Sequence, residues 1–288
     1  MSNTIKVSVI FLLTLFSIQS ITAGGGWPQK KGQGYIKLSE WWLVSNQHFT
    51  GTGQIDPNVT TGIFNSSIYF EYGITDRLTV TGYVPFFSRT YNNNIVSETT
   101  GEILFEGESL NSFGDTDLGL QYGLTSGVVN TSISLTLGLP LGVSDGGSQG
   151  TLQTGDGEFN QLLKVDAGFG YKLLGQNAYA NTYIGYNNRT NGFSDEYRFG
   201  LESGVNLLND KLLALVRVFG VLSAKNGAPS GDTGTSIFAN NAEHISISPE
   251  LNYNVGKNWG VSASVSTALY GKLIFASPAY AIGVYTRF

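Results

Sequence analysis

From about residue 34 onward, apolar and polar residues alternate along the chain with a period of two. Tyr197 to Leu207 is the clearest run: its odd positions are mostly apolar, and its even positions are Arg198, Gly200, Glu202, Gly204 and Asn206. Leu118, Leu120, Tyr122 and Leu124 alternate with Asp117, Gly119, Gln121 and Gly123. Ile245 to Val255 alternates against Ser246, Ser248, Glu250, Asn252 and Asn254. A strand places successive side chains on opposite faces, so each run reads as a strand with one apolar and one polar face. The pattern predicts about twelve strands: 34–45, 63–73, 77–87, 114–124, 128–139, 159–172, 177–188, 196–207, 211–222, 243–255, 259–269 and 279–288. Each is near the roughly 9–11 residues that a tilted strand needs to cross a bilayer.

The connections alternate as well. Short turns fall at Gly73–Asp76, Thr125–Gly127, Leu174–Gln176, Asn209–Asp210 and Gly256–Asn258. Longer polar, glycine-rich loops lie near 46–62, 88–113, 140–158, 189–195, 223–242 and 270–278. Strict alternation of short and long links is the habit of outer-membrane barrels, whose periplasmic turns are short and extracellular loops long. The expected fold is therefore all-β, a transmembrane antiparallel up-and-down barrel over 34–288 with both termini in the periplasm and no internal domain boundary.

Composition sharpens this reading. Asp, Glu, Lys and Arg make up 13% of the chain, against about 25% in ordinary soluble domains. No segment beyond the N-terminus holds the ~18 consecutive apolar residues of a membrane helix. Lys6, the apolar run Val7–Ile18 and the small residue Ala23 read as a signal peptide over 1–23, so the mature chain is expected to begin at Gly24. Residues 24–33, Gly-Gly-Gly-Trp-Pro-Gln-Lys-Lys-Gly-Gln, read as a flexible periplasmic lead-in. Cysteine is absent and the net charge is −5. An acidic chain without a basic run is not expected to bind nucleic acid.

If the apolar face meets lipid, the other face lines the lumen. It carries Lys37, Glu71, Arg77, Asp115, Asp117, Lys164, Asp166, Arg198, Glu202, Arg217 and Glu250. Both charge signs occur in near balance, which suits either a stiffening ion-pair network or a constriction that selects solutes. A barrel of about twelve strands lies between the filled interior of eight and the open channel of sixteen. In the same register Tyr69, Tyr83, Phe87, Tyr179 and Tyr183 point inward. Leu213, Leu215, Phe219 and Val221 share a side with Arg217, so the lumen has apolar patches unless a bulge turns them out. Trp41, Trp42, Tyr83, Phe86, Phe87, Tyr183, Tyr186 and Trp259 fall near strand ends, where interfacial girdles place aromatic rings. The chain stops at Phe288 after alternating Tyr280, Ile282 and Val284, which resembles the outer-membrane assembly signal, although Thr286 stands where an aromatic is usual.

Three segments resemble a known family. Glu71-Tyr72-Gly73-Ile74-Thr75-Asp76-Arg77-Leu78 with Val84-Pro85-Phe86, Gly114-Asp115-Thr116-Asp117-Leu118-Gly119-Leu120-Gln121-Tyr122, and Thr136-Leu137-Gly138-Leu139-Pro140-Leu141-Gly142 are similar to motifs of the outer-membrane barrels labelled MetA-pathway of phenol degradation. Leu141 stands where that family usually has Thr. The resemblance covers roughly residues 60–145 and implies movement of aromatic or other hydrophobic compounds.

The functional expectation is an outer-membrane channel or transporter for small, apolar or aromatic solutes. The alternative is a structural or adhesive barrel with a filled lumen and working loops. The partners expected are outer-membrane lipid, the barrel-assembly machinery and a small-molecule solute. No cofactor or metal is expected. Asp145-Gly146-Gly147 and Gly155-Asp156-Gly157-Glu158 offer oxygen ligands to Ca²⁺, but solvated turns look the same. His244 and Ser246 share one face of a strand, as a base and nucleophile would, yet the residues that follow lack the continuation of outer-membrane lipases, so no enzyme activity is expected.

Overall fold

A computed structural model describes residues 25–97, 99–228 and 236–288. The expected signal peptide and its cleavage site lie outside the described residues. No helix occurs among those described. The strands are β1 (Gly34–Phe49), β2 (Ile55–Gly73), β3 (Leu78–Asn92), β4 (Ile95–Val96), β5 (Ile103–Phe105), β6 (Ser109–Ser112), β7 (Thr116–Thr125), β8 (Asn130–Leu139), β9 (Asn160–Leu173), β10 (Gln176–Asn188), β11 (Glu196–Leu207), β12 (Leu212–Ser223), β13 (Glu243–Asn254), β14 (Trp259–Lys272) and β15 (Ala279–Arg287).

Twelve of these, β1–β3 and β7–β15, pair antiparallel with their neighbours in sequence order. The ring closes where Tyr35 faces Arg287 and Leu43 faces Ala279. Closure removes the edges, so each strand finds its backbone partners within the wall, as hydrocarbon demands. Leu38, Leu120, Leu135, Leu163, Ile184, Leu201, Leu251 and Ile282 all stand exposed on the outside. In water that surface would be costly; against lipid it is the favourable one.

Sequence explains the short turns. Leu173 pairs with Gln176, leaving a two-residue loop in which Leu174 (φ 50°) and Gly175 (φ 83°) are both left-handed. That is the primed turn whose twist suits a hairpin, with glycine where the steric cost is least. The strict short–long alternation holds, but strands at the long-loop end run further than their apolar pattern. β1 and β2 continue to Phe49 and Ile55, with pairs such as His48–Asp56, so their link spans only 50–54. Pairing persists there above the apolar band, where both faces are polar and alternation vanishes.

One register shift matters for the lumen. Ser66 pairs with Phe87 and Ser67 with Pro85, so Phe86 is the extra residue of a bulge. The bulge turns Phe87 outward, where it is exposed beside Phe86, correcting its expected inward position. Pro85 has no N–H to give, and beyond Tyr83 the β3–β7 ladder stops; a single bond from Gly114 N to Pro85 O (2.9 Å) spans the gap before β6 takes over at Ser88. The aromatic girdle is likewise reduced. Trp42 stacks between Phe64 and Tyr280 on the outer wall, and Tyr72 stacks on Phe288 near the other rim. Trp41, Tyr83 and Tyr183 face inward, because adjacent residues of a strand cannot share a face.

Candidate functional site

The lumen is built from the inward half of each strand. Across the wall runs a continuous ladder of charges. Lys37 Nζ lies 3.2 Å from Glu250 Oε1, Glu250 Oε2 takes Arg217 Nη1 at 2.5 Å, and Arg217 Nε donates to Glu202. Tyr179 then donates to Glu202 at 2.6 Å. Lys37 is on β1 and Glu250 on β13, so the lysine stem must cross two intervening strands. It does so over Gly283, where a Cβ would come within 2.8 Å of Lys37 Cε. Such carboxylates inside a barrel would be costly alone; paired with cations they stiffen the wall.

A second group sits toward the short turns. Glu71, 1% exposed, accepts Gln29 Nε2 at 2.7 Å and also the Tyr69 hydroxyl. Tyr35 stacks on Tyr285 with centroids 5.7 Å apart. Lys164 Nζ stands 3.3 Å from Asp166 and 5.0 Å from the Tyr183 ring.

A third lies at the long-loop end. Arg189, its side chain 3% exposed, bridges Asp156 (3.0 Å) and Glu196 (2.9 Å), and Arg198 joins Glu196 at 2.7 Å. Asp115 accepts the backbone N–H of Gly142 (2.9 Å) and of Asp156 (2.6 Å), tying the 140–158 loop down. Thr190 donates to Glu158 at 3.0 Å. Burial pushes the Asp115 carboxyl up to about 6; the Asp156 carboxylate adds to the rise, and the two N–H donors oppose it. The Asp156 carboxylate is therefore engaged by protein donors, and no group of three or more acidic or histidine side chains fit to hold a metal ion occurs among the described residues.

Lys37, Glu202, Arg217 and Glu250 are thus joined in one ladder, Glu71 and the Lys164–Asp166 pair line the lower lumen, and Asp117 lies within electrostatic reach of Arg198. Two expected lumen residues sit elsewhere. Arg77 is exposed in the turn between β2 and β3, and Asp115 caps loops rather than lining the strand wall. Arg189 and Glu196 were not legible as site residues, since Arg189 follows the last residue of β10 and Glu196 opens β11. His244 Nδ1 lies 3.0 Å from Ser246 Oγ inside the lumen, with Phe219 edge-on to the ring.

One part of the upper wall is apolar. Leu43, Ile63, Phe275 and Ala279 form a buried cluster with Trp41 packed against it. Above it opens a cavity of about 640 Å³ whose lining includes Ile63, Thr61, Asn92, Phe105, Leu152 and Phe275.

The expectation of a flexible lead-in meets a different geometry. Residues 25–29 fold into the lumen, and 30–33 lie at its rim. Gly26 N donates to Asn181 Oδ1 (2.9 Å), Ser132 Oγ donates to Gly25 O (3.0 Å), and Gln29 N donates to Thr79 Oγ1 (2.8 Å). Gln121 Nε2 also donates to Gly25 O. Trp27 meets Tyr179 edge-on at 6.1 Å and lies over Gly168, where a Cβ would fall 2.4 Å from the indole ring. The segment reaches strands β7 to β10 on the far wall, and at its base Gly32 N bonds Gly73 O (2.8 Å).

No protein-family profile and no curated protein matches the chain. Among solved structures, it resembles the COG4313 outer membrane channel from Pseudomonas putida F1, with a TM-score of 0.61 and 12% identity over 93% of this chain and 100% of that one. Two further neighbours are a KdgM porin in complex with disordered oligogalacturonate (TM-score 0.48, 9% identity, 88% and 99% covered) and the NanC porin (TM-score 0.45, 8% identity, 87% and 98% covered). At such identities the first likeness is one of fold. Together with the apolar outer wall, it makes this an outer-membrane β-barrel.

Proposed function

We propose that the barrel is a channel or transporter that carries small apolar or aromatic solutes across the outer membrane, with residues 25–33 closing its path at rest. The short turns and both termini then face the periplasm. One observation carries the solute class. The lumen holds a cluster of Trp41, Leu43, Ile63, Phe275 and Ala279 directly beneath a cavity of about 640 Å³, and Ile63 and Phe275 line both. Binding sites for small organic molecules are concave and mostly apolar, with volumes of roughly 300–1,000 Å³. A lumen built only to pass hydrated ions has no use for that surface.

The charge ladder, which runs from β1 by way of β13 and β12 to β11, keeps its members paired, so it offers few free charges to a hydrated solute. A filled lumen also favours the second reading, a structural or adhesive barrel. Single-channel current of the refolded protein in a planar bilayer separates the two, with phenol added as an aromatic probe. The transport reading expects sparse current that phenol reduces and that shortening the segment before Gly34 raises. A folded, heat-modifiable barrel that is silent, and that takes up no phenol into liposomes, would overturn it.

A further inference from the structure

The cavity above the apolar cluster carries charge of one sign. Glu106, Glu108 and Asp145 line it, and among the described residues no lysine, arginine or histidine does. Glu108 is partly engaged, because its carboxylate accepts the Ser148 N–H at 2.6 Å. Glu106 and Asp145 are exposed, and their side chains make no ion pair or hydrogen bond among the described residues. Acids elsewhere in the barrel are matched: Glu202 and Glu250 by Arg217, Asp156 and Glu196 by Arg189. The cations of the long-loop end are taken as well. Lys225 and Lys272 pair with Glu243 at 3.7 and 3.1 Å. Arg89 follows the inward Ser88 and precedes the inward Thr90, so it points the other way, and it donates to Asn111 at 3.0 Å.

Two features separate this cavity from a solvated acidic rim. Its roof is apolar: β4 and β5 form a small hairpin in which Ile95 faces Phe105, and both side chains line the cavity although both are exposed. Exposed apolar surface gathered over a concavity marks a binding site rather than a loop built for water. The buried Ile63 and Phe275 supply apolar surface from the barrel wall. The second feature is Thr90. It is 3% exposed and lines the cavity, and its hydroxyl has no hydrogen-bond partner among the described residues. A buried hydroxyl left unpaired is costly, so a polar group entering the cavity would complete it.

We propose that this cavity is a recognition site for organic cations, solutes that join a ring-sized apolar body to an ammonium group. The body packs among Phe105, Leu152, Phe275 and Ile63, and the ammonium meets Glu106 and Asp145. Clefts lined by one sign of charge with apolar walls focus the field and concentrate the opposite ion. The faces of Phe105 and Phe275 attract the same cation. A neutral solute of that shape gains the apolar contact alone, and an anion is repelled. The inference names the solute class of the path proposed above and rests on that reading's assignment of the cavity to a solute.

The test uses the full chain, isotope-labelled and refolded into lipid nanodiscs, titrated at pH 7 with benzylamine, benzyl alcohol and benzoate. These share one ring and differ in charge. Amide shifts of Thr90, Leu152 and Phe275 report occupancy of the cavity, and uptake into liposomes is measured separately. Benzylamine is expected to bind about five- to tenfold more tightly than benzyl alcohol, as two partly exposed ion pairs allow, and benzoate more weakly than either. The double variant Glu106→Gln with Asp145→Asn removes no contact of the fold and is expected to erase the difference between benzylamine and benzyl alcohol. Equal affinity for all three probes, or a cation preference that survives the double variant, overturns the cation site and leaves the apolar-solute reading standing. If no probe moves the three amides, both fall. If benzylamine binds as expected but no probe enters liposomes, the site stands and transport falls.

Discussion

Single side chains show what a barrel rewards. Glu40 lies on the outer wall, where Ser66 Oγ donates to it at 2.9 Å and its neighbours Leu38 and Ile282 face lipid. Replacing it by leucine is expected to raise stability in urea titrations by about 1–2 kcal/mol, because an outward charge in the apolar band is unfavourable. Arg217 is the opposite case: Arg217→Leu leaves Glu202 and Glu250 without their shared cation. The same titration is expected to show a loss of about 1–3 kcal/mol, below the roughly 3–5 kcal/mol for breaking a fully buried pair because the guanidinium is partly solvated. Asp115 sets a pH dependence. Its carboxyl is raised in the folded chain, so its contribution is fully present below the ordinary aspartate range and is lost as pH rises through about 6. The stability difference between wild type and Asp115→Asn in urea titrations is therefore expected to shift in favour of wild type at pH 5 relative to pH 7.5; the same difference at both pH values would show that Asp115 does not titrate there. Alternation alone placed Lys37, Glu71, Glu202, Arg217 and Glu250 on the inner face. It could not pair them, since Lys37 reaches Glu250 across two strands that are distant in sequence.

For strands and segments, legibility followed the lipid. Wherever one face had to be apolar, the pattern placed the strand to within a few residues. Above the band it failed, and β1, β2 and β3 run on through polar sequence. The Phe86 bulge also escaped the pattern, because a one-residue insertion changes facing without changing composition. Gly-Gly-Gly-Trp-Pro read as a flexible leader because its glycines look like freedom. In the structure Gly26 and Gly168 are small so that backbone and indole can approach the wall. Gly168→Val is accordingly expected to expel Trp27 and to increase ion current several-fold, while heat-modifiable migration shows the barrel intact. Unchanged current would mean that Trp27 does not control the path.

At the scale of the whole molecule, the outer surface and the lumen divide the work: one meets lipid, the other combines a paired charge ladder with an apolar cluster beneath the upper cavity. The short–long alternation of links and the closed twelve-strand ring were both readable in the sequence; the filling of the lumen was not. The base of the closing segment sets how far it can move. Gly32 and Gln33 are stitched to Gly73 at the rim by backbone bonds of 2.8 and 2.9 Å. Among the described residues, 25–31 lie beyond that stitch, a leash of about 23 Å at roughly 3.3 Å per residue. A stopper on so short a leash never mixes with bulk solution. Its effective concentration at the lumen stays on the order of millimolar, so each opening is answered from within the same molecule, at a rate independent of how many barrels the membrane holds.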